Sequence, residues 1–364
     1  MKRYFNTYSL KFSLIVSFFL VVPLYFIHFG VNSLILNTIS IFIGLIIFYK
    51  IEIYTYPLIG FFTSIFWLWW ISLSFIYYDL TFLIPFVIIG IGGFYFLLFL
   101  FLTFLRFKCL IILFFLFGLK YITPFGFNWF RYDILLNETY FGKLFFKKKI
   151  EKIEIPLKIK IVNTEIAQSK KWKKEFIPYE IENNFNYIKK GIKEGKDIVI
   201  LPETAFPLPL NRYQNLLINL KKLSYKIVIV VGGLDYKEGN YYNSTYLFKN
   251  GEMKIFHKHI LVPFGEYIPF ECCKNFFNKL FFNGANDFIA SPNFGKFKIE
   301  GIEFTNAICY EVTKEELYQN SSKYIIAMSN NAWFNNSVER TLQKLLIKFY
   351  SEKYGKIVFH AENR

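Results

Sequence analysis

Long apolar runs open the chain, and short alternating ones follow. Residues 12–28, 33–49, 57–78 and 80–105 are apolar over lengths that reach or approach a bilayer crossing, and a weaker fifth run covers 109–123. From residue 157 the pattern changes to short β-branched runs separated by turns and helical stretches. Strands are predicted over 158–163, 197–201, 226–232, 242–248, 252–256, 306–310 and 323–328. Helices are predicted over 175–194, from Pro207 through 223, and over 338–354. Strands alternating with helices predict a layered α/β domain. The expected organisation is a transmembrane helical bundle of about five spans over 1–125, a connecting segment over 126–156, and one α/β domain over 157–364.

Charge orients the apolar runs. Lys2, Arg3 and Lys11 precede or open the first, Lys50 lies between the second and third, and Arg106 and Lys108 lie between the fourth and fifth. The connections at 29–32 and at Asp79 carry no Lys or Arg, so the positive-inside rule places the N-terminus in the cytoplasm. Five crossings then put the α/β domain on the opposite face. The first run resembles a signal peptide but has no small-x-small cleavage site and leads straight into further runs, so it reads as a retained helix. Trp67, Trp69 and Trp70 fall in the third run, where lipid-facing or interfacial packing is expected and a cavity wall is the alternative.

Composition modifies this picture only in part. Apolar residues make up 54% of the chain and aromatic residues 22%, concentrated in the nearly charge-free first third. The formal net charge of +16 raises the question of nucleic acid. The lysines are dispersed, however, and no nucleic-acid-binding or zinc spacing occurs, so no nucleic-acid partner is expected. Anionic lipid head groups are a better use of the charge, and a Lys-, Asn- and Ile-rich codon bias is the bland alternative. Four cysteines, Cys109, Cys272, Cys273 and Cys309, form neither a disulfide framework nor a metal-ligand cluster.

Three stretches place a reactive side chain just after a strand. LPETAFP (201–207) presents Glu203, FHKHILVPFGEYIPF (256–270) carries Lys258 and Glu266, and AICYEV (307–312) holds Cys309 within a short apolar strand, with Glu311 two residues on. Taken singly, a Glu at a strand end is usually solvated, a Lys in a polar segment is surface, and a Cys is a small buried hydrophobe. Their joint occurrence in the order Glu, Lys, Cys points elsewhere.

PETA, KxxLVPFGEYIP and CYE together resemble the nitrilase superfamily triad, and LVPFGEYIP is most similar to its apolipoprotein N-acyltransferase branch. NTEIAQSKKW (163–172), SNNAWF (329–334, with Asn331 where the family usually has Asp), PFGFNWF (124–130) and YFG (140–142) resemble further stretches of that branch. The resemblance implies a membrane bundle joined to a nitrilase-like four-layer αββα sandwich on the periplasmic side of the bacterial inner membrane. It implies Glu203 as general base, Cys309 as nucleophile and Lys258 as the cation facing the oxyanion. Glu266 would orient Lys258 or assist proton transfer, and Tyr310 and Glu311 would shape the acyl pocket. Trp172, Asn330 and Trp333 match positions near the family's site.

The implied reaction moves a fatty acyl group from a phospholipid, through a Cys309 thioester, to the N-terminal amine of a diacylglyceryl-modified apolipoprotein. It uses no metal and no cofactor, and the chain is expected to act as a monomer. Two departures accompany the resemblance: the family typically has about eight membrane helices, and after a stretch like FHAENR (359–364) it continues into a further strand and a final helix. A nitrilase-type amidase acting on a small soluble substrate, and an inactive truncated relic, are the competing readings. Cys309→Ala is expected to abolish any covalent acyl adduct seen by intact mass. Cys272→Ala and Cys273→Ala should leave it largely intact; loss in either would move the nucleophile away from Cys309.

Overall fold

The structure, a computed structural model, describes residues 4–146, 155–282 and 286–364. Lys2, Arg3 and residues 147–154 of the expected connecting segment lie outside these. The chain divides into two compact units, one of residues 1–147 with 336–349 and one of residues 148–335 with 350–364.

The first unit is helical: α1 (Thr7–His28), α2 (Leu34–Lys50), α3 (Tyr56–Leu68) and α4 (Ile84–Thr103). Asn6 and Ser33 cap the first two by accepting the amides of Ser9 and Leu36, and Pro57 and Pro85 occupy first-turn positions where no amide donor is missed. Thr7–His28, Ile53–Tyr78 and Thr81–Thr103 are long and apolar enough to cross a membrane, and Leu34–Lys50 is a shorter apolar helix. The fifth run forms a short helix, Lys108–Leu113, that continues through a π turn and a 3-10 turn to Tyr121.

In an apolar surrounding, helices associate through small residues and polar contacts rather than by hydrophobic burial. Ser13 and Ser17 on α1 accordingly donate to the carbonyls of Thr55 and Ile59, and Thr63 donates to Ser17. Gly60 lets α3 approach α4 so closely that a Cβ there would lie 2.7 Å from the Tyr95 carbonyl oxygen. The tryptophans do not form the expected lipid-facing belt. Trp67 is fully buried and donates to the Trp129 carbonyl, Trp70 is buried and donates to the Trp67 carbonyl, and half-buried Trp69 donates to the Tyr25 hydroxyl. An indole N–H with a protein carbonyl in reach has no need of the head-group layer. The PFGFNWF stretch supplies that carbonyl and packs Phe130 on Tyr95 and Trp67.

The second unit has two sheets. In the first, β1 (Ile159–Ile161), β2 (Ile198–Ile200), β4 (Val228–Lys237), β5 (Asn240–Lys249) and β6 (Glu252–His257) are neighbours in that order, with β3 (Phe206–Pro209) also pairing to β4. The second runs β10 (Ile357–Asn363), β9 (Tyr324–Asn330), β8 (Ile302–Ile308), β7 (Lys296–Ile299). Alternation along the strands assigns the faces. Val199, Leu201, Ile229 and Val231 pack with Ile188 of α5 (Ile177–Lys193) and with Leu217 and Leu220 of α6 (Gln214–Leu223). Ile198, Ile200, Val228 and Val230 face the other way, onto Phe304, Ile308, Ile326, Met328 and Ala361 of the second sheet. Beyond that sheet, helix Glu315–Asn320 stacks Tyr318 on Tyr350 near the end of α7 (Glu339–Tyr354). This is the layered α/β domain expected from the pattern, in the αββα form that the resemblance implied.

Several elements differ from expectation. The predicted helix after Pro207 begins only at Gln214, because Phe206–Pro209 pairs with β4 instead. The stretch 357–363, at the end of the chain, is a strand in parallel register with β9 along its whole length. Cys309 lies just past β8 rather than within a strand. Ile326 is fully buried between the sheets. Ile326→Ala should cost about 2–5 kcal/mol of stability, read as a lowered thermal midpoint of the detergent-purified chain.

Candidate active site

Parallel strands direct their carboxyl ends to one edge, and four such ends converge here. β2 leads to Glu203, β6 to Lys258, β8 to Cys309, and β9 ends at Asn330. The two turns that present reactive atoms are both kinked. Thr204, next to Glu203, has φ of 46°, and Cys309 has φ of 54°. Left-handed backbone at a non-glycine residue costs on the order of 1–3 kcal/mol and persists only where its surroundings enforce it. At Cys309 the enforcing group is Glu311. One of its oxygens accepts the Ile308 amide at 2.6 Å, and the other accepts the amides of His259 and Ile260 at 2.6 and 3.0 Å. A single carboxylate thus ties the turn carrying Cys309 to the segment that follows Lys258. Burial lifts the Glu311 carboxyl to about 7, against the pull of Lys258 and of the three amides.

A web of charge-assisted hydrogen bonds surrounds the thiol. Lys258, only 1% exposed, donates from Nζ to Glu266 Oε2 at 2.7 Å. The Asn243 amide nitrogen donates to Glu203 Oε1 and Glu266 Oε1, both at 2.8 Å, and so joins the two carboxylates. The Asn330 backbone amide donates to Glu203 Oε2 at 2.8 Å. Burial alone would depress the Lys258 ammonium, but Glu266, then Glu203, Cys309 and Glu311, outweigh it and hold the group well above its ordinary value. These neighbours favour the charged form of Lys258.

Cys309 keeps part of its surface accessible, with the Glu203 carboxylate and the Asn330 amide in hydrogen-bonding reach of its sulfur. Burial first, and the Glu203 carboxylate second, push its pKa well up; Lys258 and the Asn330 amide pull the other way without reversing the direction. The net upward shift favours the thiol form of Cys309, with the Glu203 side chain beside it. Such a pair can generate a nucleophile on demand, by moving the proton from sulfur to carboxylate as the sulfur attacks.

The remaining candidates are placed unequally. Glu266 is in direct contact with Lys258. Asn330 touches Glu203 through its backbone, while its side chain donates to Gln168 and accepts from Asn363. Tyr310 is buried, with the Lys314 ammonium 4.1 Å from its ring centre. Trp172 is 43% exposed at the end of the one-turn helix Gln168–Lys171, and Trp333 is half-buried in the turn Asn331–Phe334. Asn243, Gln168 and Lys171 escape a reading of the sequence. Asn243 is one polar residue in the polar-rich stretch NYYNSTY and carries no motif; Gln168 and Lys171 lie in NTEIAQSKKW, which resembles the family but in which only Trp172 is a candidate.

The chain's likeness to known proteins spans both units. Residues 7–171 match the family model for the apolipoprotein N-acyltransferase integral membrane domain. An apolipoprotein N-acyltransferase of Campylobacter jejuni is 39% identical, with 98% of this chain and 89% of the relative covered. One from Wolinella succinogenes is 35% identical, covering 94% and 91% respectively. Among solved structures, a CN-hydrolase superfamily protein from Xanthomonas campestris is similar over 57% of this chain and 76% of its own, at 13% identity and a TM-score of 0.44.

The approach of β4 to the Glu203 turn yields a test of this geometry. A Cβ on Gly232 would lie 2.5 Å from the Thr204 nitrogen and 2.7 Å from the Glu203 Cα. Gly232→Ala is expected to cost about 1–3 kcal/mol and to displace Glu203. The displacement should appear as an altered pH dependence of Cys309 alkylation. An unchanged profile would show that the turn tolerates the methyl group.

Proposed function

The chain belongs to the apolipoprotein N-acyltransferase family, and on that premise we propose how its own residues carry the acyl transfer. It is an N-acyltransferase with an integral membrane part. Glu203, Lys258 and Cys309 are the catalytic residues, acting on a phospholipid as donor and on the N-terminal amine of a diacylglyceryl-modified apolipoprotein as acceptor. One observation carries this reading: a partly accessible thiol on a kinked turn, with the Glu203 side chain and the Lys258–Glu266 ion pair around it.

In the first half-reaction the Cys309 sulfur attacks the ester carbonyl while its proton passes to Glu203. The carbonyl oxygen becomes an oxyanion, and Lys258 is the cation next to the sulfur that stabilises it. As the C–O bond breaks, the proton returns from Glu203 to the departing alkoxide, leaving a thioester and a lysophospholipid. In the second half-reaction the acceptor amine attacks the thioester and gives a proton to Glu203. The C–N bond forms, the C–S bond breaks, and the proton restores the thiol. Glu266 and Asn243 are positioning residues: Glu266 fixes the ammonium, and the Asn243 amide holds Glu203 and Glu266 at a set separation.

Lipid-linked substrates explain why the catalytic unit is joined to helices able to cross a membrane. The distribution of Lys and Arg along the apolar runs supports an inner-membrane protein with its catalytic unit on the periplasmic side. Incubating the detergent-purified chain with phospholipid should add one acyl group to Cys309 by intact mass, and a lipopeptide with a free N-terminal cysteine should discharge it. A folded wild-type chain that forms no adduct would sink the proposal, and turnover of small amides without lipid would favour an amidase.

A further inference from the structure

A second buried ammonium lies behind the base. Lys171 is 1% exposed and donates from Nζ to the backbone carbonyl of Glu203 at 3.0 Å. That carbonyl immediately precedes left-handed Thr204, so the contact anchors the turn that aims the Glu203 side chain. The same one-turn helix supplies Gln168, which accepts the side-chain amide of Asn330, whose backbone amide in turn holds Glu203 Oε2. The segment 168–171 therefore grips the base from two directions.

The charges around this grip are unbalanced without Lys171. Glu203, Glu266 and Glu311 are all buried near the thiol, and Lys258 is committed to Glu266 at 2.7 Å. The groups that face Lys171 are Glu203, Glu180 and the Cys309 sulfur. Glu180, on α5, is fully buried, and among the described residues neither of its oxygens has a hydrogen-bond partner. Burial lifts its carboxyl to about 7, with Lys171 opposing, and burial lowers Lys171 to about 8. Burial thus disfavours the charged form of each group, and the charge of each opposes the shift of the other.

We propose that Lys171 is a positioning residue for the acyl transfer: it anchors the Glu203 turn and supplies a second cation behind the base. The inference rests on Glu203 acting as that base. Its test is the rate of Cys309 acylation across acid to alkaline pH, measured on the full chain in detergent with phospholipid as donor. Lys171→Met is expected to slow acylation by roughly 10- to 100-fold near neutrality and to move the acidic limb of the profile up by about one unit. Lys171→Arg should recover most of the rate and the original limb. Because Lys171→Met leaves Glu180 opposite no cation, the double variant Lys171→Met/Glu180→Gln provides a charge-neutral background, and it should keep the displaced limb.

A slower Lys171→Met enzyme with its limb unmoved makes Lys171 a mere prop and overturns the inference. So does a double variant with the wild-type limb. Glu203→Gln separates the two levels of argument. If it still acylates at the wild-type rate, the base assignment fails and the inference with it. If it is inactive while the Lys171→Met limb is unmoved, only the role of Lys171 fails.

Discussion

The Lys258–Glu266 ion pair, at 2.7 Å and almost without solvent, is the contact on which the catalytic unit's polar core depends. Removing one partner of such a pair costs roughly 3–5 kcal/mol, because the other is left charged and dry. Here the consequences spread further. Glu266 also accepts the Asn243 amide and the Val262 amide, so its loss would free the segment after Lys258 as well as the ammonium. Asn243 would then hold Glu203 alone. Buried networks of this kind are stable only when every member is satisfied, and this one is nearly so: among the described residues, only the Asn243 side-chain Oδ1 of this network has no hydrogen-bond partner, while its backbone carbonyl accepts the Lys258 amide.

Around that pair, two strained turns are held by carboxylates and amides rather than by bulk packing. Glu311 spends both oxygens on backbone amides, which makes it a clamp between two loops. Its alignment with Cys309 follows from chain geometry, since two residues beyond a left-handed kink the side chain returns toward the amide of Ile308. The same logic appears at Glu203, where the Asn330 and Asn243 amides take the two carboxylate oxygens and Lys171 takes the backbone carbonyl. Strain at Cys309 and at Thr204, beside Glu203, is thus balanced by hydrogen bonds to carboxylate and ammonium groups, which are stronger when charged.

The membrane unit solves the opposite problem. With apolar surroundings on the outside, it gains little from hiding apolar side chains and is held by close approach and by paired hydroxyls and indoles. Ser13, Ser17 and Thr63 form one such seam, and Trp67 with the Trp129 carbonyl forms another. Buried Arg131 and Asp133 pair through two hydrogen bonds of 2.8 and 2.6 Å just after that tryptophan, so even the charges here are internally matched.

Much of this was legible in the sequence. Apolar run length located the helices, and alternation located β2, β4, β5, β6, β8 and β9 to within a few residues, because burial on both faces demands continuous β-branched stretches. Three motifs identified Glu203, Lys258 and Cys309 as candidates, since their residue types and order are distinctive. Even the short edge strand β1 was legible, but two others were not: β3 looked like a helix start after Pro207, and β7 carries too brief a pattern. The indoles of Trp67 and Trp70 read as interfacial because composition cannot show that a carbonyl lies in reach. Asn243, Lys171 and Glu180 were invisible as site residues for the same reason. Sequence by itself determined which side chains are candidates for the chemistry and that they follow strands. Tertiary structure alone decided which polar groups are paired across the sheets, because the bonds that matter join residues 23, 32, 40 and 127 positions apart.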